Sequence, residues 1–270
     1  MADNAAANLD ALSIALRAAT ARYAAPARRP TARPPIWARA LNAIVRAFNP
    51  PPPAWDWRSQ NVIGPARSQV PCNSCASFAI GAAIEALVRI RGHPPIAVDP
   101  GFIHTCLVHQ GAVGDPTTDC QAPADLFTAL TAIKARGYAL DTGQYPFPAA
   151  ACAAVADLQP IAGFGVLGVG ALQSAIVRGG PVVTEMWVWE NFFDYRGQTP
   201  TYIPDPTSPG SLGHVVCIVG FDATGWIIKN SYGPGWGRQG FATIRYGDCG
   251  IGAPPPPNQY ACAAYSIALP

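Results

Sequence analysis

Lysine is nearly missing from this chain. Two lysines stand against sixteen arginines, only two methionines occur, and charged residues make up 13% of the 270 positions. Little charge with half the residues hydrophobic suits a compact soluble protein with much buried surface. A formal charge of +2 removes any global argument for nucleic acid as a partner. No apolar run approaches the length of a membrane-spanning helix. Behind the N-terminus there is no uniformly apolar stretch following a basic start, so no standard secretory signal is read there. Only four histidines are available for imidazole chemistry, His93, His104, His109 and His214. No second C-x-x-C accompanies Cys72-x-x-Cys75, which counts against half of a zinc site or a thioredoxin-like redox pair at those cysteines. Neither a metal nor a cofactor is expected.

Arginine, alanine and proline are plentiful, a composition of GC-rich genomes that is read here as bacterial. The charge is uneven. Residues 1–50 hold seven arginines against two acids, a net +5, which leaves −3 for the remainder of the +2 chain. Helical spacing over Leu9 to Tyr23 and Ile36 to Phe48 predicts two short amphipathic helices in this arm, and Pro50 to Pro53 a stiff extended linker. The expected division is a basic arm, 1–54, and a folded domain, 55–270. The arm is read as a propeptide-like or inhibitory segment docked on a domain of opposite charge, the rivals being a targeting sequence or a solvated tail.

Within the domain, Trp55 and Trp57 anchor an extended entry segment. Apolar periodicity predicts helices from about Cys75 to Ile90, Gly101 to Gln110 and Ala124 to Arg136. Pro181 to Trp189, His214 to Phe221, Trp226 to Lys229 and Phe241 to Tyr246 are short, rich in Val, Ile and aromatics, and bounded by turn residues, so they read as strands. A helical first half before a stranded second half predicts an α+β fold of two lobes with a cleft between them.

Cys75 falls where a polar loop meets a helix, and a helix N-terminus favours thiolate over thiol. A thiolate nucleophile needs a base. Among the four histidines only His214 opens an apolar strand able to hold an imidazole rigidly. Asn230, sixteen residues on, ends another short strand, and its amide carbonyl can fix the imidazole tautomer. Gln69, six residues before Cys75, can donate to a developing oxyanion. Read singly, His214 and Asn230 are as well explained by a satisfied core histidine and a turn asparagine.

Gln69-Val-Pro-Cys-Asn-Ser-Cys75-Ala-Ser-Phe78, Leu212-Gly-His214-Val-Val-Cys-Ile-Val-Gly-Phe221 and Trp226-Ile-Ile-Lys-Asn230-Ser-Tyr-Gly-Pro-Gly-Trp-Gly-Arg-Gln-Gly-Phe241 resemble, in order, the papain family of cysteine peptidases. The resemblance covers roughly residues 55 to 252 and implies a papain-like fold, with a mainly helical left lobe and an antiparallel, β-barrel-like right lobe. It assigns Cys75 as nucleophile, His214 as general base and acid, Asn230 as orienting residue and Gln69 with the Cys75 N–H as oxyanion hole. It places substrate-binding positions at Leu212, Gly213 and Val215 on one side and Ala122, Pro123 and Ala124 on the other. The implied activity is endopeptidase cleavage of protein or peptide substrates through a thioester, by a monomer made as a zymogen. An acyltransferase and a catalytically silent binding protein are the rival readings.

Departures from the family pattern stand beside the machinery. Asn73 and Ala76 flank the Ser-Cys pair where glycine and tryptophan are usual, and Tyr232 replaces a tryptophan. Gln121-Ala122-Pro123 replaces a double glycine, and Pro123 has no N–H to offer a substrate. The family pattern pairs Cys72 with Cys120 and Cys106 with Cys152, leaves Cys217 as a buried free thiol, and gives Cys249 only Cys262 as a weakly supported partner. Disulfides imply an exported or extracellular destination, against which the unread signal peptide pulls. Glu85 and Glu185 are candidate specificity charges, weighed against ordinary paired or solvated carboxylates.

Overall fold

The computed structural model of the chain describes residues 50–109, 120–205, 207, 212–251 and 262–270. The two helices expected in the basic arm lie outside those residues. Four helical segments matter: α1, Cys75–Ile90; α2, Pro100–Phe102, which runs on as a π-helical turn over Ile103–Val108; α3, Leu126–Arg136; and α4, Leu172–Gly179. α1 begins at the residue expected. Every residue from Ala76 to Leu87 is buried, so it is a core helix, apolar nearly all round. The expected helix from Gly101 to Gln110 starts at Pro100, capped by the Asp99 carboxylate on the Phe102 N–H, and Gln110 lies outside the described residues.

Seven strands form one antiparallel sheet: β1, Trp55–Asp56; β2, Gly163–Leu167; β3, Val182–Val188; β4, Leu212–Phe221; β5, Gly225–Lys229; β6, Phe241–Arg245; and β7, Ala264–Ala268. The order is β2-β7-β3-β4-β5-β6, with β1 paired to the end of β4. Among the described residues the sheet is open, running from β2 to β6, where Tyr202 bridges Ile244, so the right lobe expected to be barrel-like is an open sheet. A bulge shifts the β4–β5 register between Ile218 and Gly220. β1 crosses so near this point that a Cβ on Gly220 would sit 2.3 Å from the Trp55 carbonyl oxygen, so only glycine fits.

Alternation along the central strands builds two cores. Val183 of β3 and Val215, Cys217 and Val219 of β4 face α1, α2 and α3. Val182 and Met186, with Val216 and Ile218, face the opposite side, where Phe192, Tyr202, Trp236 and Ile244 are buried. α1 is therefore clamped between helices and sheet, and its N-terminus emerges beside β4. Disulfides Cys72–Cys120 and Cys106–Cys152, both expected, staple the helical lobe, while Cys217, Cys249 and Cys262 are free thiols. Cys262 Sγ lies 3.8 Å from the Cys249 carbonyl oxygen without a bridge to that cysteine.

Candidate active site

Cys75 is the first residue of α1, preceded by Ser74 as N-cap. The Ser74 hydroxyl makes no capping bond, so it leaves the first-turn N–H groups to other acceptors. The backbone N–H groups of Val215, Ala76 and Cys75 itself act to lower the pKa of the Cys75 thiol. Val215 follows His214 in β4, so the thiol lies against the strand that carries the imidazole. Asn230 Oδ1 accepts the Ser231 N–H at 2.8 Å and lies 2.8 Å from His214 Nε2. An oxygen that accepts from Ser231 must accept from the imidazole too, so Nε2 carries the proton and Nδ1 is left as the acceptor nitrogen. The ring is held between Phe192 and Tyr232, at centroid distances of 5.8 and 5.0 Å.

Gln69 is buried next to this group. Its Oε1 accepts from the Ser231 hydroxyl at 2.6 Å, and its Nε2 donates to the Cys72 carbonyl at 3.0 Å. One N–H of that amide remains unspent by these bonds. Tyr145 Oη donates to the Gln69 carbonyl at 2.5 Å and lies 2.7 Å from Ser74 Oγ. Because the phenol has one proton, Ser74 must be the donor in the second bond. The loop from Gln69 to Cys75 is thus tied to the helical lobe through Tyr145 and to the sheet lobe through Ser231.

Burial dominates the titration of both reactive groups. It pushes the Cys75 thiol up to about 11, against the N–H groups of Val215, Ala76 and Cys75, and Glu185 adds to the rise. It takes the His214 imidazole down to about 4, against the Asn230 carbonyl. Three N–H groups do not offset desolvation of a lone thiolate, so the helix terminus needs the imidazolium as a partner charge. Passing the thiol proton to the imidazole creates both charges together. Unit charges about 4 Å apart attract by roughly 4 kcal/mol at an effective dielectric near 20. The site therefore supports a paired ionisation, not a free thiolate.

A family model described as papain family cysteine protease matches residues 51–255. The chain belongs to the papain family. It is 27% identical to human cathepsin O over 217 residues, 74% of this chain and 64% of that protein, so it spans under two thirds of that relative. Bovine pro-cathepsin H is 28% identical over 260 residues, 87% of this chain and 72% of that one. Among solved structures, procathepsin L 3 of the Tenebrio molitor larval midgut aligns with TM-score 0.63 at 23% identity, over 83% of this chain and 72% of that one. Bromelain from Ananas comosus, in complex with the E64 inhibitor, aligns with TM-score 0.62 at 23% identity, over 81% and 100%. These structures share the papain-like fold. The two relatives are mammalian and lend no support to the bacterial reading of the composition.

Of the four candidate residues Gln69, His214 and Asn230 are buried and Cys75 is half-buried. Leu212 and Gly213 open β4, Gly213 exposed, while Val215 is buried against α1. Of the other candidate substrate-binding residues, Ala122 and Pro123 are exposed and Ala124 is buried. Asn73 uses its side-chain amide to donate to the Gln121 carbonyl at 2.6 Å, so the residue in the glycine's place braces the altered loop. Of the candidate charges, Glu85 is structural: its Oε1 accepts from Arg67 at 2.7 Å and from the Val98 N–H at 2.9 Å. Tyr145, Ser74 and Ser231 were missed by sequence reasoning. Ser231 adjoins a chosen residue and could have been found, whereas nothing local marks Tyr145, seventy residues past Cys75.

Proposed function

We propose that this protein is a cysteine endopeptidase in which Cys75, His214 and Asn230 form the triad and Gln69 helps hold the oxyanion. The observation that carries the reading is the shared Asn230 oxygen, which makes His214 Nε2 a donor and frees Nδ1 to take the thiol proton. Sγ of Cys75 attacks the peptide carbonyl as its proton passes to Nδ1. The carbonyl oxygen becomes an oxyanion, for which the unspent Gln69 N–H and the Cys75 backbone N–H are the donors. The imidazolium gives its proton to the leaving amine as the C–N bond breaks, leaving an acyl thioester. Water, deprotonated by the neutral imidazole, then attacks the thioester and returns the free thiol and a carboxylic acid. Tyr232 and Phe192 keep bulk water off the imidazole face.

Leu212, Gly213 and Val215 form the sheet-side wall of the substrate cleft in this reading, and Ala122, Pro123 and Ala124 the helix-side wall. Two disulfides suit an oxidising compartment, so the protein is read as exported. Fluorogenic peptides under mildly reducing conditions test the activity. Hydrolysis by the native chain and none by Cys75→Ala, with an unchanged unfolding midpoint, is expected. Turnover retained in Cys75→Ala would sink the assignment. Product only when an amine is added would make the protein an acyltransferase.

A further inference from the structure

We propose that Glu185 makes this cleft select peptides carrying a basic side chain on the N-terminal side of the scissile bond. The inference rests on the peptidase reading and names its substrate class. On β3 the residues facing the helical lobe are Val183, Glu185 and Trp187. Val183 is fully buried in the core shared with α1, while Glu185 and Trp187 are partly exposed, so this side of the strand leaves the packed interface and opens to solvent at Glu185. Glu185 pairs directly opposite Val215, which follows His214 in β4 and whose backbone N–H acts on the Cys75 thiol. Directly opposed residues share a face of the sheet, with Cβ atoms about 5 Å apart. The carboxylate therefore borders the sheet-side wall next to the nucleophile.

Among the described residues this carboxylate has backbone support and no cation paired with it. Its Oε2 accepts the Ala263 N–H at 3.3 Å, and the Glu185 N–H donates to the Ala263 carbonyl at 3.0 Å. The ion pairs made by Arg58, Arg67 and Arg245 go to Asp56, Glu85, Asp141 and Asp248, not to Glu185. The groups acting on it are burial first, then the Ala263 N–H, then the like charge of Asp125, the N-cap of α3 on the opposite lobe. Burial and Asp125 both lift its pKa, while Ala122, Pro123 and Ala124 across the cleft contribute no positive charge. A structural carboxylate in such a place is met by a cation or hydrogen-bonded on both oxygens. Here a guanidinium or ammonium brought by the substrate would meet that need. Charge-assisted hydrogen bonds to such a group are worth about 1.5–3 kcal/mol, roughly tenfold to a hundredfold in affinity.

The test uses the full chain and a fluorogenic panel in which Arg and Leu alternate at the second and third residues before the scissile bond. Active sites are titrated with a thiol-directed epoxide. At one of the two positions kcat/KM should favour Arg over Leu by about tenfold or more. Glu185→Gln keeps an acceptor for the Ala263 N–H and should cut that ratio by about tenfold, and Glu185→Lys should invert it. Leu preferred at both positions, or an Arg/Leu ratio the same in wild type and Glu185→Gln, would overturn the proposal. Epoxide labelling of Cys75 with no Arg preference defeats the inference and leaves the peptidase reading intact. Absence of both labelling and hydrolysis defeats both.

Discussion

Tyr145→Phe removes one oxygen and loosens the loop that carries the nucleophile. In the native chain the phenol donates to the Gln69 carbonyl at 2.5 Å and accepts from Ser74 at 2.7 Å. The Gln69 carbonyl keeps a second bond, from the Cys72 N–H at 2.8 Å, so it is not orphaned. Ser74 is fully buried and loses its partner. Leaving a buried hydroxyl unsatisfied costs about 1–3 kcal/mol, so Tyr145→Phe should lower stability by about 2 kcal/mol. The ring still packs edge-on against Phe78 at 5.3 Å and against the Cys72–Cys120 disulfide, so apolar burial is retained. Ser74→Ala in the Tyr145→Phe background removes the orphan. The double variant should therefore recover part of the loss, with a coupling of about 1 kcal/mol in the cycle. Catalysis should register the freed Gln69 as a fall in kcat of about threefold to tenfold with little change in KM, because the oxyanion donor acts in the transition state. Urea unfolding and peptide kinetics on the four proteins measure both effects. Additive losses in the cycle, or a stability within about 0.3 kcal/mol of wild type for Tyr145→Phe, would refute the bond assignment.

Asn230→Ala removes the oxygen shared by His214 and Ser231; kcat should fall about tenfold to a hundredfold with the loss of one charge-assisted bond, and an unaltered kcat would deny Asn230 its orienting role. Cys72 and Cys120 are separated by 48 positions, so replacing both by alanine should cost about 4 kcal/mol on the chain-entropy estimate, read as a lowered urea midpoint. Acid destabilises through buried imidazoles. Burial holds His104 and His214 near 4, below the ordinary 6.5, and lowers His109 as well, so between pH 6.5 and 4 the unfolded chain takes up protons that the native chain refuses. Stability should be level with respect to these groups above pH 6.5 and fall as pH drops through that window. Asp99, raised by burial to about 6, and Glu185, also raised, work in the opposite sense as native carboxyls protonate first. His104→Gln keeps a donor for the Cys120 carbonyl and should recover up to about 3 kcal/mol of the loss between pH 7 and 4.5; an unchanged pH slope contradicts the burial argument.

Much of the site could be read from the chain because its chemistry is local in sequence. The loop-to-helix change at Cys75 places the thiol, and His214 and Asn230 stand at the edges of apolar strands whose pattern is strong. α1 was legible over its whole length for the same reason: no proline or polar run interrupts it before Gly92. β2 and α4 were not. Gly163-Phe-Gly-Val-Leu167 alternates glycine with apolar residues at a sheet end, where partner strand β7 supplies the order that the sequence does not. α4 buries only Leu172 and Ile176, too few for a clear periodic signal. Tyr145 escaped because its two bonds span 71 and 76 positions, distances that only the folded chain closes. The balance of forces on the Cys75 thiol is legible only in part. A helix terminus is visible in sequence, but the desolvation that outweighs it comes from packing between two lobes.

In the proposed mechanism one thiol among the free cysteines does chemistry with His214. Reaction of the full chain with a thiol-directed epoxide, followed by peptide mapping, tests this most directly. Cys75 should be modified stoichiometrically with loss of peptide hydrolysis, and His214→Ala should slow that labelling by about a hundredfold or more. Labelling of Cys217, Cys249 or Cys262 in place of Cys75, or a Cys75 rate indifferent to His214→Ala, would contradict the proposed nucleophile and base.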